Sequence, residues 1–259
     1  MDLGLAGRKA IVCASSRGLG KACARALAEA GCEVVINGRD AKTLAATAAE
    51  LSQLTGAKVI AVAADVATAD GQKALLTACP QPDILINNNA GPPLRDFREL
   101  SRQQMIDGLT ANMIVAVELI QKVIDPMLQR RFGRIVNITS GAVKAPLAGL
   151  DLSSGARAGL TAFLAGVART VADKNVTINN ILPGAFDTDR LRGTLSKAAE
   201  TRGKSIAQVA ADRINSIPAK RFGNPAEFGA ACAFLCSTHA GYITGQNLLI
   251  DGGSFPGAF

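Results

Sequence analysis

The sequence predicts an α/β protein built on one doubly wound parallel β-sheet with helices on both faces, and three observations carry that prediction. Short apolar runs of strand length alternate with longer helical patterns along the chain. The apolar residues are mostly small aliphatics: 48% of the 259 residues are hydrophobic, yet there is no Trp and a single Tyr, Tyr242. Such side chains suit strands buried on both sides. No Ser/Pro-rich linker and no internal repeat divides the chain, so residues 1–259 are expected to form a single domain.

The elements follow in order. Residues 9–14 (KAIVCA) read as a strand, and residues 19–30 as a helix stopped by Gly31. Residues 33–37 are the second strand, and residues 41–54 a helix ending before Gly56. Residues 58–63 and 83–87 are short strands, the latter after a Pro-containing turn. A long helical stretch covers residues 102–129 and precedes a strand at 134–139. Residues 155–174 are helical, and strands at 177–182 and 247–250 close the set.

Several function classes are disfavoured by composition. The opening MDLGLAGRKAIV has no long apolar stretch behind a basic flank, so no signal peptide is expected. No apolar run reaches the ~18 residues of a membrane span. Cys13, Cys23, Cys32, Cys79, Cys232 and Cys236 fall inside expected strands and helices without a CxxC pair, and His239 is the single histidine. Reduced core thiols in a cytoplasmic protein are expected, rather than disulfides or a metal site. The net charge of +7 comes from basic residues spread along the chain, without a basic tract interleaved with aromatics. An anionic cofactor or substrate explains it better than nucleic acid.

The first strand runs into Cys13-Ala14-Ser15-Ser16-Arg17-Gly18-Leu19-Gly20, and a helix follows at once. Small residues let the backbone approach a pyrophosphate, and the N–H groups and dipole of the helix start hold its charge. Ala14, Ser16, Arg17, Gly18, Leu19 and Gly20 are therefore candidate cofactor contacts. The segment resembles the TGxxxGxG loop of the short-chain dehydrogenase/reductase family, with Cys13 and Ala14 in place of Thr and the first Gly. Further motifs agree in family order: Asp65-Val66, Asn87-Asn88-Asn89-Ala90-Gly91, Asn112, Asn137-Ile138-Thr139-Ser140, Pro183-Gly184-Ala185-Phe186-Asp187-Thr188, Arg221-Phe222-Gly223, Tyr242-Ile243-Thr244-Gly245-Gln246 and Asp251-Gly252-Gly253.

The resemblance implies a Rossmann-type fold and a role for each matching position. Asp65 is expected to hydrogen-bond the adenine amino group, with Val66 packed beside the ring. Asn88, Ala90 and Gly91 are expected to line the ribose, although NNNAG fits the family's NNAG in two registers. Pro183, Gly184, Phe186 and Thr188 are expected to orient the nicotinamide carboxamide. At the end of the second strand Gly38 stands where an acidic residue would hold the adenosine 2′-hydroxyl. Arg39 follows, and Arg17 lies in the phosphate loop. Guanidinium groups fork well onto phosphate, so NADP(H) is the expected cofactor.

At the catalytic end the family pattern breaks. The family uses Asn, Ser, Tyr and Lys, and Asn112 and Ser140 stand 28 residues apart, matching its spacing. Counting 13 residues on from Ser140 reaches the Tyr position, which holds Ser153; four more reach the Lys position, which holds Arg157. The chain thus resembles a divergent, β-ketoacyl-carrier-protein-reductase-like branch with an incomplete tetrad. A serine hydroxyl is far less acidic than a phenol, and Arg157 can bind ribose hydroxyls but not relay a proton. Three readings stay open. Lys144, desolvated beside Arg157, or a water held by Ser140 and Ser153, supplies the proton. Alternatively the protein binds NADP(H) without turnover, as a sensor or partner subunit. Or it catalyses a reduction that needs little protonation.

Residues 186–221 fall where the family places a substrate lid. They carry eight basic residues, among them Arg190, Arg192 and Lys197, against four acidic ones. That field suits an anionic substrate, such as an acyl thioester on a phosphopantetheine carrier, or equally an ordinary solvated lid. The resemblance favours a homotetramer, or a homodimer, joined through the helices around residues 102–129 and 155–174. Ala156, Ala158, Ala162, Ala165 and Ala168 permit close helix approach there or against the sheet.

Overall fold

The computed structural model describes residues 1–258. Strands β1 (Lys9–Val12), β2 (Glu33–Gly38), β3 (Val59–Ala63), β4 (Ile84–Asn87), β5 (Gly133–Ile138), β6 (Val176–Pro183) and β7 (Asn247–Ile250) form one sheet in the order β3-β2-β1-β4-β5-β6-β7. Every pairing is parallel. The order reverses between β1 and β4, so the loops leaving these two strands part and open a crevice at their carboxyl ends.

Alternate residues of each strand face opposite sides of the sheet. Val12, Ile36, Ile86 and Val136 pack with Leu27 of α1 (Gly18–Glu29), Leu44 and Leu51 of α2 (Ala41–Thr55) and Phe228 of α9 (Pro225–Cys236). Ile11, Val35, Leu85 and Ile135 pack on the other side with Leu75 of α3 (Ala69–Ala78), Leu119 of α5 (Val115–Arg130) and Leu160 of α6 (Asp151–Val171). The two cores sandwich the sheet and account for its aliphatic strands.

The structure alters the expected element list in three places. The stretch read as one helix over residues 102–129 is α4 (Arg102–Leu109), a π-helical turn (Thr110–Ile114) and α5. The turn adds a residue to the helical repeat and turns Asn112 inward, where it is 4% exposed. Two helices, α3 and α9, escaped the periodicity reading: α3 carries Gly71 and few apolar residues, while α9 is apolar nearly all round. Residues 186–221 fold into α7 (Asp189–Arg202) and α8 (Ile206–Ser216), joined by a small apolar cluster of Leu195, Ala199 and Val209.

Polar strand residues are also accounted for. Asn87, Asn137, Asn180 and Asn247 stand in register on β4 to β7. Asn87 Nδ2 donates to Asn137 Oδ1 (2.9 Å), Asn137 Nδ2 to Asn180 Oδ1 (3.0 Å), and Asn180 Nδ2 to Asn247 Oδ1 (2.8 Å). This ladder pairs successive amides across β4 to β7, with Asn87 Oδ1 at its end left buried without a partner among the described residues.

Candidate active site

The phosphate loop is built from backbone hydrogen bonds to three neighbours. Ala14 N donates to Asn37 Oδ1 (3.2 Å), and Asn88 Nδ2 donates to Ala14 O (3.1 Å). Ser15 Oγ donates to Val12 O and accepts from Asn37 N, while Thr47 Oγ1 donates to Ser16 O. Asn37, near the end of β2, also donates to the carbonyls of Val62 in β3 and Ala64 just after it. One buried residue therefore ties the loop after β1 to the end of β3. Its sequence signal was faint, an asparagine inside an apolar run.

The loop has room and polarity for a pyrophosphate. No side chain caps the first turn of α1, which begins at Gly18 with φ +60°. By contrast Asp40, Thr68 and Thr188 cap α2, α3 and α7. A Cβ on Gly20 would lie 2.3 Å from Ala14 O, so that position admits no side chain. Thr188 Cγ2 comes within 3.9 Å of the Cβ position of Gly18, so the loop after β6 meets the phosphate loop across the crevice.

Around the adenosine end, Arg17 and Arg39 are both exposed and neither forms an ion pair among the described residues. Arg17 lies close enough to help lower the pKa of Asp40, whose main cause is its hydrogen bonding with Thr43. Gly38 packs against Ser16: a Cβ there would fall 3.2 Å from Ser16 Oγ, which disfavours the acidic side chain that would select an unphosphorylated ribose. Asp65 is exposed and accepts from Ala67 N through Oδ1 (2.9 Å). Val66, expected beside the adenine ring, instead turns its side chain into the core with Leu75 and Val35. The ring of Phe186 is buried and meets Phe228 edge-on at 5.3 Å. Pro183 ends β6, and Gly184 passes the Asp251 backbone too closely for a side chain.

In the NNNAG segment, Asn87 stays in the sheet ladder and Asn88 turns to the phosphate loop. Asn89 turns the other way, donating from Nδ2 to Ala111 O in the π turn (3.2 Å) and accepting from Ala90 N. The extra residue relative to NNAG thus faces the catalytic side.

The candidate catalytic residues gather around Arg157. Its side chain is buried without a carboxylate partner among the described residues. Nε donates to Ser153 Oγ (3.3 Å), Nη1 to Ile138 O (2.7 Å) and Nη2 to Asn89 O (3.4 Å). Burial, and then the charge of Arg190, lower the guanidinium to about 10, still protonated at neutral pH. Asn112 donates to the carbonyls of Gly108 (3.3 Å) and Ala90 (3.5 Å), and its Oδ1 is buried without a partner. A cavity of about 20 Å³ separates Asn112 from Arg157 and Asn89, room for about one water. Ser140 accepts from Ala142 N at the end of β5. Lys144 does not join this group: its Nζ lies 5.5 Å from the Phe255 ring centroid, drawn to the C-terminal segment by the aromatic face. The cation that does reach Arg157 is Arg190, in the first turn of α7, read from sequence only as one charge among many.

A crevice at the sheet's reversal point, a phosphate loop on an uncapped helix and a polar centre beyond it define a dinucleotide-dependent oxidoreductase. Comparison with known proteins agrees. The family model described as enoyl-(acyl carrier protein) reductase matches residues 13–254. The chain is 32% identical to the 3-oxoacyl-(acyl-carrier-protein) reductase FabG of Vibrio cholerae, covering 98% of this chain and 99% of that one. It is 31% identical to the NADPH-dependent reductase BacG of Bacillus subtilis, over 95% and 97% of the two chains. The crystal structure of L-sorbose reductase from Gluconobacter frateurii, complexed with NADPH and L-sorbose, superposes with a TM-score of 0.94 at 28% identity, over 99% and 100% of the chains. The chain belongs to the short-chain dehydrogenase/reductase family.

Proposed function

We propose that this chain is an NADP(H)-dependent carbonyl oxidoreductase whose proton reaches the substrate oxygen through Ser153 and water rather than through a phenol. The uncapped α1 turn, with Ser16, Gly18 and Leu19, would hold the pyrophosphate, and Arg17 and Arg39 the 2′-phosphate. Bound there, NADPH would supply the hydride. The observation that carries the catalytic reading is the hydrogen bond from Arg157 Nε to Ser153 Oγ. Because the hydroxyl accepts from the cation, its own proton is free to be donated outward.

In the reduction, the carbonyl π electrons would pass to oxygen as the hydride joined carbon. The oxygen takes its proton from Ser153, which is reprotonated by water in the same step. Arg157 holds positive charge beside the developing oxyanion in a site of low dielectric. Ser140 Oγ orients the carbonyl, and Asn112 Oδ1 accepts from a water in the adjoining cavity, which returns protons from solvent. Arg157 serves as this charge brace: three of its five N–H groups meet protein acceptors and fix the guanidinium in place, and two remain for a bound ligand.

The test is single-turnover oxidation of bound NADPH with a panel of ketones, oxo acids and 3-oxoacyl thioesters, repeated with Ser153→Ala. A hydride-transfer rate that falls in the variant supports the reading. NADPH binding without turnover of any member favours a silent dinucleotide-binding subunit.

The chain's setting fits the same reading. Its six cysteines are free and buried, as suits a reducing cytoplasm, and no helix among the described residues is long and apolar enough to cross a membrane. Exposed Met105, Ile106 and Leu109 on α4 and Phe163 on α6 offer apolar faces for homotetramer or homodimer contacts.

A further inference from the structure

The Arg190 guanidinium reaches across the crevice to the catalytic side. A Cβ placed on Gly91 would lie 2.9 Å from Arg190 Nη2 and 3.5 Å from Ser153 Oγ, so both groups border the same small space. The carboxylates nearest Arg190 in sequence are already engaged: Arg192 pairs with Asp187 (2.9 Å) and Asp189 (3.0 Å). Arg190 itself forms no ion pair among the described residues, and neither does Arg157. Two guanidinium groups, one buried and one at the crevice mouth, thus flank a serine hydroxyl with no acid to balance them. Like charges so placed repel: burial is the main cause that lowers the pKa of Arg157, and the charge of Arg190 lowers it further. A bound anion turns the repulsion into a two-sided attraction.

We propose that the substrate is a small oxo acid whose carboxylate is held between Arg190 and the Ser153–Arg157 pair. This deepens the function proposed above and rests on it. The charged site and the proton-donating hydroxyl share Ser153, so the carboxylate must lie within a bond or two of the reacting carbonyl. That places the substrate in the 2-oxo acid class and disfavours a neutral ketone, or an acyl thioester whose charge is carried far along its arm. It also gives a physical reason for serine where the family has tyrosine: a phenol at residue 153 would fill the space the carboxylate needs.

The test uses the NADPH-loaded full chain and two probes of nearly equal shape, anionic oxamate and neutral oxamide, titrated by calorimetry. Oxamate is expected to bind at least about tenfold more tightly than oxamide. Arg190→Gln should erase that difference and Arg190→Lys restore part of it, with NADPH affinity unchanged. Arg192→Gln should leave the difference intact. Equal binding of the two probes, or no binding of either while NADPH binds, would overturn the inference and leave the cofactor reading standing. The inference also fails if Arg190→Gln weakens NADPH but keeps the preference for oxamate, because Arg190 would then be a cofactor ligand. Failure of the wild-type chain to bind NADPH would overturn the underlying reading and this inference together.

Discussion

The carbonyl of Ala14 accepts a hydrogen bond from Asn88 Nδ2 at 3.1 Å, tying the loop after β1 to the loop after β4 at the point where the sheet order reverses. This contact holds Ala14 at φ +44°, a left-handed conformation that suits glycine, at the position where the family has glycine. Ala14→Gly should relieve the strain, at some cost in unfolded-chain entropy. The expected net gain is up to about 1 kcal/mol, which raises Tm by roughly 2–4 °C for a chain of this size. Differential scanning fluorimetry checks it; a fall in Tm would show that the alanine methyl contributes packing that outweighs the strain.

Arg39 is exposed, without an ion pair among the described residues, and one residue beyond β2; its expected partner is a phosphate rather than a protein acid. Arg39→Ala should weaken NADPH binding by about ten- to a hundredfold, the loss of one charge-assisted contact. NADH should be nearly unaffected. Fluorescence titration with both cofactors decides the matter, and equal losses for the two would argue against a 2′-phosphate clamp.

The sheet was legible because β1, β2 and β4 are built on apolar runs bounded by turn residues, and the phosphate loop because glycine spacing after a first strand has a stereochemical cause. The break at Ser153 and Arg157 was legible by counting from Ser140. What escaped was three-dimensional. Val66 and Phe186 matched a motif, but only packing shows that their side chains enter the core. Lys144 was drawn to Phe255, a partner 111 residues away that no local pattern links to it. Arg190 could be counted as lid charge, but its reach to Gly91 depends on how α7 is set against the loop after β4. The π turn at Asn112 is likewise invisible in a helical repeat, since Thr110–Ile114 has ordinary helix-forming residues.

That π turn leads to a stability prediction. Asn112 Nδ2 donates to Gly108 O and Ala90 O, and a carboxylate of the same shape cannot donate to either. Asn112→Asp would bury either an unpaired charge or a protonated acid in poor geometry, costing on the order of 3 kcal/mol. Asn112→Ala, which removes the amide without adding charge, should cost less. Urea unfolding of the two variants orders them, and an aspartate variant as stable as wild type would contradict the placement of this side chain.

The last prediction concerns pH. In the proposed mechanism the working groups are two serine hydroxyls, a water and two guanidinium cations, with no phenol and no imidazole. The rate of hydride transfer should therefore be nearly flat between roughly pH 6 and 9. It should fall as pH approaches about 10, where Arg157 begins to lose its proton and with it the charge beside Ser153. Stability should respond in the opposite sense. The folded-state pKa of Arg157 lies below its unfolded value, so between the two the unfolded chain binds more protons and the penalty for burying the cation is relieved as pH rises. Wild type should accordingly gain stability relative to Arg157→Gln on going from neutral pH to above about pH 10, while its activity declines. Stopped-flow NADPH oxidation and paired thermal melts across that range measure the two trends. Activity that peaks near neutral pH, or a stability difference that does not change with pH, would remove Arg157 from the role given to it.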